Sequence, residues 1–257
     1  MSIYDKPVRV IIKDMIAELA PSHGVTFTRN DAIDWFATKY PKVKLGTITA
    51  HLYRFSTNSQ SRLSHPTKPD EDILFQIDKT SFRLYNSDID ALPIHNDSNV
   101  ITNLSTEDSL QEATADSDNL NEFAYERDLK NFLVKNLNVI ESGLRLYQDE
   151  DINGVEFPVD GRFVDILALD KANNLVVIEL KVSRGHERVV GQLLRYMAWI
   201  QQNQAEKNQK VRGVIVAREI TDDLKLACSY TPQVSLFEYE LSVKLKLIAM
   251  DYLSNPS

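Results

Sequence analysis

The sequence predicts a mixed α/β (α+β) chain of two folded units joined by a flexible acidic linker. Three observations lead there. Helical apolar spacing followed by a hairpin pattern fills the first third, an acidic stretch without Lys or Arg follows, and strand patterns alternating with helical ones fill the remainder. Of the 257 residues, 43% are hydrophobic, enough for real cores, and 26% are charged, with a formal net charge of −8. No apolar run approaches the roughly 18 residues of a membrane span. The opening MSIYDKPVRVIIKD lacks the layout of a signal peptide, so a cytoplasmic location is expected. The single cysteine, Cys228, excludes an internal disulfide or a multi-cysteine zinc site and reads as a buried structural thiol.

The acidity is uneven. Residues 1–86 hold 12 basic and 9 acidic side chains, residues 87–121 hold none and 8, and residues 122–257 hold 17 and 20. The middle stretch, rich in Ser, Asn, Asp and Thr, lacks any sustained period and is expected to be a solvated linker. The first unit, 1–86, opens with Val8, Ile11, Ile12, Met15, Ile16 and Leu19 at helical spacing, closed by Pro21 and Gly24. Thr28, with Asp31 three residues on, caps a second helix carrying Ala32, Ile33, Trp35, Phe36 and Ala37 to Tyr40, before Pro41. A third helix, Gly46 to Phe55, points Ile48, Leu52 and Phe55 inward and carries Thr47, Thr49, His51 and Arg54 among its polar positions. Two short apolar runs, Ile73 to Ile77 and Ser81 to Tyr85, flank Asp78-Lys79-Thr80 as a hairpin.

Three helices and a hairpin in this order form a winged helix, whose third helix commonly enters the major groove of double-stranded DNA while the hairpin touches the backbone. The expected DNA contacts are Lys44, Thr47, Thr49, His51, Arg54, Arg62, Lys79 and Arg83. Winged helices also bind proteins, and solvated polar faces are common, so this assignment rests on fold analogy.

The second unit, 122–257, begins with an amphipathic helix from Glu122 to Leu137, its apolar positions Phe123, Leu129, Phe132, Leu133 and Leu137, with Glu126 among the polar ones. In GVEFPVDGRFVDILALDKANNLVVIELKVSRG, the turns Asp160-Gly161 and Asp170 to Asn174 delimit two strands, about Arg162 to Leu169 and Leu175 to Val182. The second is nearly continuously apolar, so Glu179 and Lys181 at its end need partners, and Asp165 on the neighbouring strand is the obvious one. Carboxylates and a lysine converging at a sheet end suit Mg²⁺, with Mn²⁺ able to substitute, because these hard cations take oxygen ligands and retain waters. A bound ion acidifies water and offsets charge on a leaving oxygen, and Lys181 would stabilise charge developing on a phosphoryl group. A buried structural ion-pair network would look the same in a lone Glu-x-Lys. A helix from Glu187 to Gln202 buries Val189, Val190, Leu193, Leu194 and Met197, with Gln192 and Tyr196 beside that stripe and Trp199 packing. Arg184, His186 and Arg188, just after the strand, are further candidates for phosphate contact.

Asp165, then Glu179-Leu180-Lys181, then a helix bearing Gly191-Gln192-Leu193-Leu194-Arg195-Tyr196 resembles the PD-(D/E)XK nuclease superfamily, and within it the catalytic domain of the NucS endonucleases. The similarity takes in Glu126, IESGLRLY and RGVIVAREITDDLKLAC, and covers most of residues 122–240. It implies a restriction-endonuclease-like fold with a mixed central β-sheet. By motif it makes Asp165 and Glu179 metal ligands with Glu126 completing the site, Lys181 the catalytic lysine and Gln192 an active-site helix residue. Val164 stands where the motif has proline, and Asp160 belongs to a turn rather than the motif. Residues 1–86 do not resemble the N-terminal region of NucS. The expectation is therefore a Mg²⁺-dependent DNA endonuclease of restriction or defence type, leaving 5′-phosphate ends, and a homodimer if both strands are cut. Two alternatives stand beside it: a repair nuclease acting on mismatched, branched or damaged DNA, and a non-catalytic DNA-binding regulator with a vestigial nuclease domain.

Overall fold

The computed structural model describes residues 4–65, 67–95, 116–185 and 187–240. The first part forms the expected helices α1 (Val8–Leu19), α2 (Arg29–Lys39) and α3 (Leu45–Phe55), then β2 (Leu74–Gln76) and β3 (Ser81–Leu84). The Thr28 cap is a full capping box: its hydroxyl accepts from the Asp31 N–H, while the Asp31 side chain accepts from the Thr28 N–H. The sequence pattern missed β1 (Thr26–Thr28), which pairs antiparallel with β3 in a sheet ordered β1-β3-β2. Ile11, Ile12, Met15, Phe36, Leu52, Phe55 and Phe82 fill the core between the helices and this sheet, each at most 1% exposed.

The second part is wrapped around one curled, mixed sheet of six strands. Its long members are β8 (Arg162–Leu169), β9 (Leu175–Gly185) and β10 (Val211–Ile220), with β11 (Val234–Glu238) at one edge and β4 (Arg145–Leu146) and β7 (Val155–Val159) both pairing with β8. Strands β9, β10 and β11 run parallel, whereas β8 is antiparallel to β9, β7 and β4. Helix α5 (Arg188–Asn203) covers one face through Val189, Leu193, Met197 and Ile200. Helix α4 (Asp116–Lys135) covers the other through Leu129 and Leu133, and α6 (Asp222–Cys228) buries Leu224 and Cys228 against α5's side. Burial raises the Cys228 thiol above its usual range, as an inert structural cysteine requires. Helix α4 starts six residues before the expected Glu122, and Phe123 lies outside the described side chains. Two-residue strands β5 (Gln148–Asp149) and β6 (Ile152–Asn153) make a small hairpin beside β7. Gly154 lies where this hairpin meets the sheet: a Cβ there would fall 1.9 Å from the Leu167 carbonyl oxygen, so the close crossing admits only glycine.

Two expectations need correction. Residues 87–95 do not behave as a free linker: Asp90 accepts a bidentate pair from Arg83, and the Ile94 N–H donates to the Thr57 carbonyl. Residues 96–115 lie outside the described residues. The second correction concerns α3, whose polar face is not presented to solvent. Thr47, Thr49 and His51 are 1%, 1% and 0% exposed because the face docks on the β5–β7 region. Thr47 donates to Asp149 (2.6 Å), the His51 ring faces Asp151 (3.1 Å) and the Thr47 carbonyl, and Arg54 donates to the Asp151 carbonyl (2.8 Å). Glu150 accepts from the Val8 N–H (2.8 Å), capping α1 where Pro7 offers no side-chain oxygen. Three consecutive acids thus grip two helices of the first unit. Apolar contacts join them: Ala50 belongs to the core of Phe157 and Val159, and the Tyr53 and Phe163 rings lie 5.2 Å apart.

Candidate active site

The site is built where β8 and β9 part. Their register pairs Ile166 with Ile178, and one step further along it Asp165 comes opposite Glu179. The Asp165 carboxylate accepts from the Leu180 N–H (2.9 Å), which ties its orientation to the β9 backbone. Glu179 is buried, with Lys181 Nζ 3.0 Å from its Oε1, and its Oε2 is buried with no hydrogen-bond partner. That orphaned oxygen is the strongest anomaly here, because buried carboxylate oxygens are normally satisfied.

The electrostatics run in one direction. Burial, then the Asp165 charge, pushes Glu179 well above the usual carboxylate range, and Lys181 only partly offsets this. Burial likewise raises Asp165, against Lys130 and the Leu180 N–H. Glu126, on α4, is raised by burial and then by Asp165. Burial lowers Lys181, yet Glu179 and Asp165 outweigh it and the lysine is held protonated. Carboxylates that bind protons tightly beside lysines that keep theirs describe a pocket short of positive charge.

The structure thus brings Asp165, Glu179 and Lys181 together at one sheet end, with Glu126 close enough to interact. Among the described residues no three His, Cys, Asp or Glu side chains are gathered closely enough to hold a common metal ion. The donor set fits a hard divalent cation held by two carboxylates, Asp165 and Glu179, because such ions need only one or two and take waters and phosphate oxygens for the rest. Gln192 lies on α5 and donates to the Tyr196 hydroxyl (3.0 Å). Two neighbours escaped the sequence reading. Lys130, one turn after Glu126 on α4, sits 2.5 Å from Glu156 and 4.0 Å from Asp165. Its helical spacing from Glu126 was a usable signal, whereas nothing local marked Glu156.

The expected DNA contacts fare differently. Thr47, Thr49 and His51 are interior, and Arg62, 0% exposed, is paired with Asp72. Arg54 reaches Glu71 and Asp151, Arg83 reaches Asp90, and Lys44 lies 3.4 Å from Glu206. Buried ionic and hydroxyl groups need such partners, so this helix face serves the fold. Lys79 and Arg188 are exposed, while the Arg184 side chain and His186 lie outside the described residues. Asp160, set aside as a turn residue, has φ 48° and pairs with Arg29, away from the cluster.

Residues 125–229 match the model of the endonuclease NucS C-terminal domain, and residues 7–84 match a domain of unknown function. Endonuclease NucS of Pyrococcus furiosus is 33% identical over 101 residues, which cover 39% of this chain and 34% of that protein. Endonuclease NucS of Pyrococcus horikoshii is 34% identical over 102 residues, covering 39% and 36%. A solved repair endonuclease from Pyrococcus abyssi aligns at 27% identity and a TM-score of 0.38, covering 51% of this chain and 50% of that one. The chain spans about a third of the length of the curated relatives it matches. Residues 125–229 are therefore similar to the C-terminal domain of endonuclease NucS, and they are joined to an N-terminal part that matches a different family model.

Proposed function

We propose that this protein is a divalent-metal-dependent DNA endonuclease acting in repair, on DNA that departs from regular duplex. The observation that carries the nuclease reading is the Asp165, Glu179 and Lys181 cluster, with a buried Glu179 oxygen left unpartnered. Asp165 and Glu179 would hold Mg²⁺ or Mn²⁺, with Glu126 beside them, and a bound ion would supply an acidified water and charge compensation at the leaving oxygen. Lys181, oriented by Glu179, places its ammonium to offset charge on the attacked phosphoryl group. Gln192 and Tyr196 form a polar pair on α5 that borders the reaction space. The presence of both carboxylates and the lysine argues against a vestigial domain.

Repair is favoured over restriction by two observations. The relatives carry the name endonuclease NucS, and the α3 face expected to read a site is packed against β5–β7. A winged helix used this way is a scaffold rather than a major-groove reader. Cutting both strands would call for two such centres, most simply in a homodimer.

The test incubates the full chain with Mg²⁺ or Mn²⁺ and labelled duplexes that are matched, mismatched or branched, alongside Asp165→Ala and Lys181→Ala. Metal-dependent cleavage of the irregular substrates, lost in both variants, is expected. Discrete fragments from matched, unmodified plasmid would return the reading to restriction, and no cleavage of any DNA would overturn it.

A further inference from the structure

Glu156 and Lys130 have no part in the motif, yet they face it directly. Glu156 has φ 45°, in the left-handed region that a non-glycine residue enters only under constraint. The β7–β8 ladder passes from Val155 opposite Ile166 to Phe157 opposite Val164, and Glu156 is turned out between them, beside Asp165. Its Oε1 meets Lys130 Nζ at 2.5 Å, and the same ammonium stands 4.0 Å from Asp165 Oδ1. Lys130 is 8% exposed, so this charge sits inside the cluster rather than on its rim. A plain structural ion pair would need neither the kinked backbone nor the second carboxylate.

We propose that Lys130 takes the place of a second divalent cation: its ammonium bridges Glu156 and Asp165, limits the centre to one metal ion and positions Asp165 for it. The inference rests on the metal-binding part of the nuclease reading. Carboxylates on both sides of a vacated ammonium position would offer a second ion the one or two oxygen ligands it needs, with water completing the shell. Lys130 is thus a positioning residue, and Glu156 is the group that keeps its ammonium from closing on Asp165.

The experiment measures Mn²⁺ binding to the full chain without DNA, by calorimetry and by electron paramagnetic resonance. The wild type and Lys130→Arg should bind one ion, Lys130→Met two with a spin-coupled spectrum, and the double variant Lys130→Met/Glu156→Gln one again. A single ion throughout, two ions in the wild type, or none in the wild type would overturn the proposal. Should Lys130→Met fail to fold, Glu156→Gln alone decides. With Glu156 neutral, Lys130 competes with the metal for Asp165, and Mn²⁺ affinity should fall about tenfold, whereas unchanged affinity would refute the idea. Plasmid and mismatched-duplex cleavage run in parallel separates the two readings. The predicted stoichiometries without any cleavage would sink the nuclease reading alone, and cleavage with one ion in every variant would sink this inference alone.

Discussion

The docking of α3 can be tested by the sign of a single substitution, Gly46→Ala. Gly46 lies in the first turn of α3, where alanine would stabilise a solvent-exposed helix by about 0.5–1 kcal/mol. In the docked arrangement the new Cβ would meet Gln204 Oε1 at 2.4 Å and two Phe157 ring carbons at 2.8 and 2.9 Å. Neither neighbour yields freely. Phe157 is 0% exposed with its ring 5.5 Å from Tyr147, and Gln204, also 0% exposed, is held by donating to the Tyr147 hydroxyl at 2.5 Å. Overpacking of this kind costs about 1–3 kcal/mol. Set against the propensity gain, the net change is a loss of roughly 0.5–2 kcal/mol, or a fall in Tm of a few degrees for a chain of this size. Urea unfolding followed by tryptophan fluorescence and far-ultraviolet circular dichroism measures it. A Gly46→Ala variant more stable than the wild type would show that α3 stands free, and would restore its polar face as a surface for DNA.

The same interface should respond to acid. Burial pushes the Asp151 carboxyl up, but His51 and Arg54 outweigh it and leave it at about 2, below its ordinary value of 3.8. The stabilisation is therefore present above about pH 4 and lost as pH falls through about 2, amounting to roughly 1–2 kcal/mol after discounting its partial exposure. Asp151→Asn should remove that amount at pH 6, and a gap from wild type that persists undiminished at pH 2 would contradict the assignment. Glu71, 0% exposed, stands 3.2 Å from Arg9 and 3.1 Å from Arg54, so Glu71→Ala leaves Arg9 with Asp70 and Arg54 with Asp151 but removes their shared buried partner, and should destabilise by about 1–3 kcal/mol. A melting point within two degrees of wild type would refute it. Finally, Cys228 should resist alkylation in the folded chain and react on unfolding in urea, since it is buried and its thiol is held up by that burial. Rapid labelling of the native chain would show the α6 packing to be wrong.

Much of this fold is legible because the signals are local. The Thr28 and Asp31 capping box, the 3.6-residue stripe of α1 and the alternation that ends in Glu179 and Lys181 each lie within a dozen residues and are read from spacing. Strands β4 to β6 escape notice because two residues cannot display a period, and β7 is interrupted at Glu156. The role of α3 is hidden for another reason. Thr47, His51 and Arg54 look like a solvated or DNA-reading face because their partners, Asp149 and Asp151, come about 100 residues later. Polar residues on a helix announce that they need partners without saying whether phosphate, water or carboxylate will supply them.

This reassigns the net charge of −8 as well. The three acids at 149–151 are matched against the first unit, and in the cluster Glu156 and Glu179 pair with Lys130 and Lys181, which leaves Asp165 and Glu126 in excess. The first unit's cations are equally committed: Arg9 and Arg54 to Glu71, Arg62 to Asp72, Arg83 to Asp90. An excess of 12 basic over 9 acidic residues in that unit therefore does not translate into a basic surface. Binding that depends on few exposed cations releases few counterions, so affinity for duplex should vary only weakly with salt and should gain strongly from a divalent ion at Asp165 and Glu179. A steep salt dependence, as many phosphate contacts would give, would mean that the first unit opens to expose α3 when DNA binds.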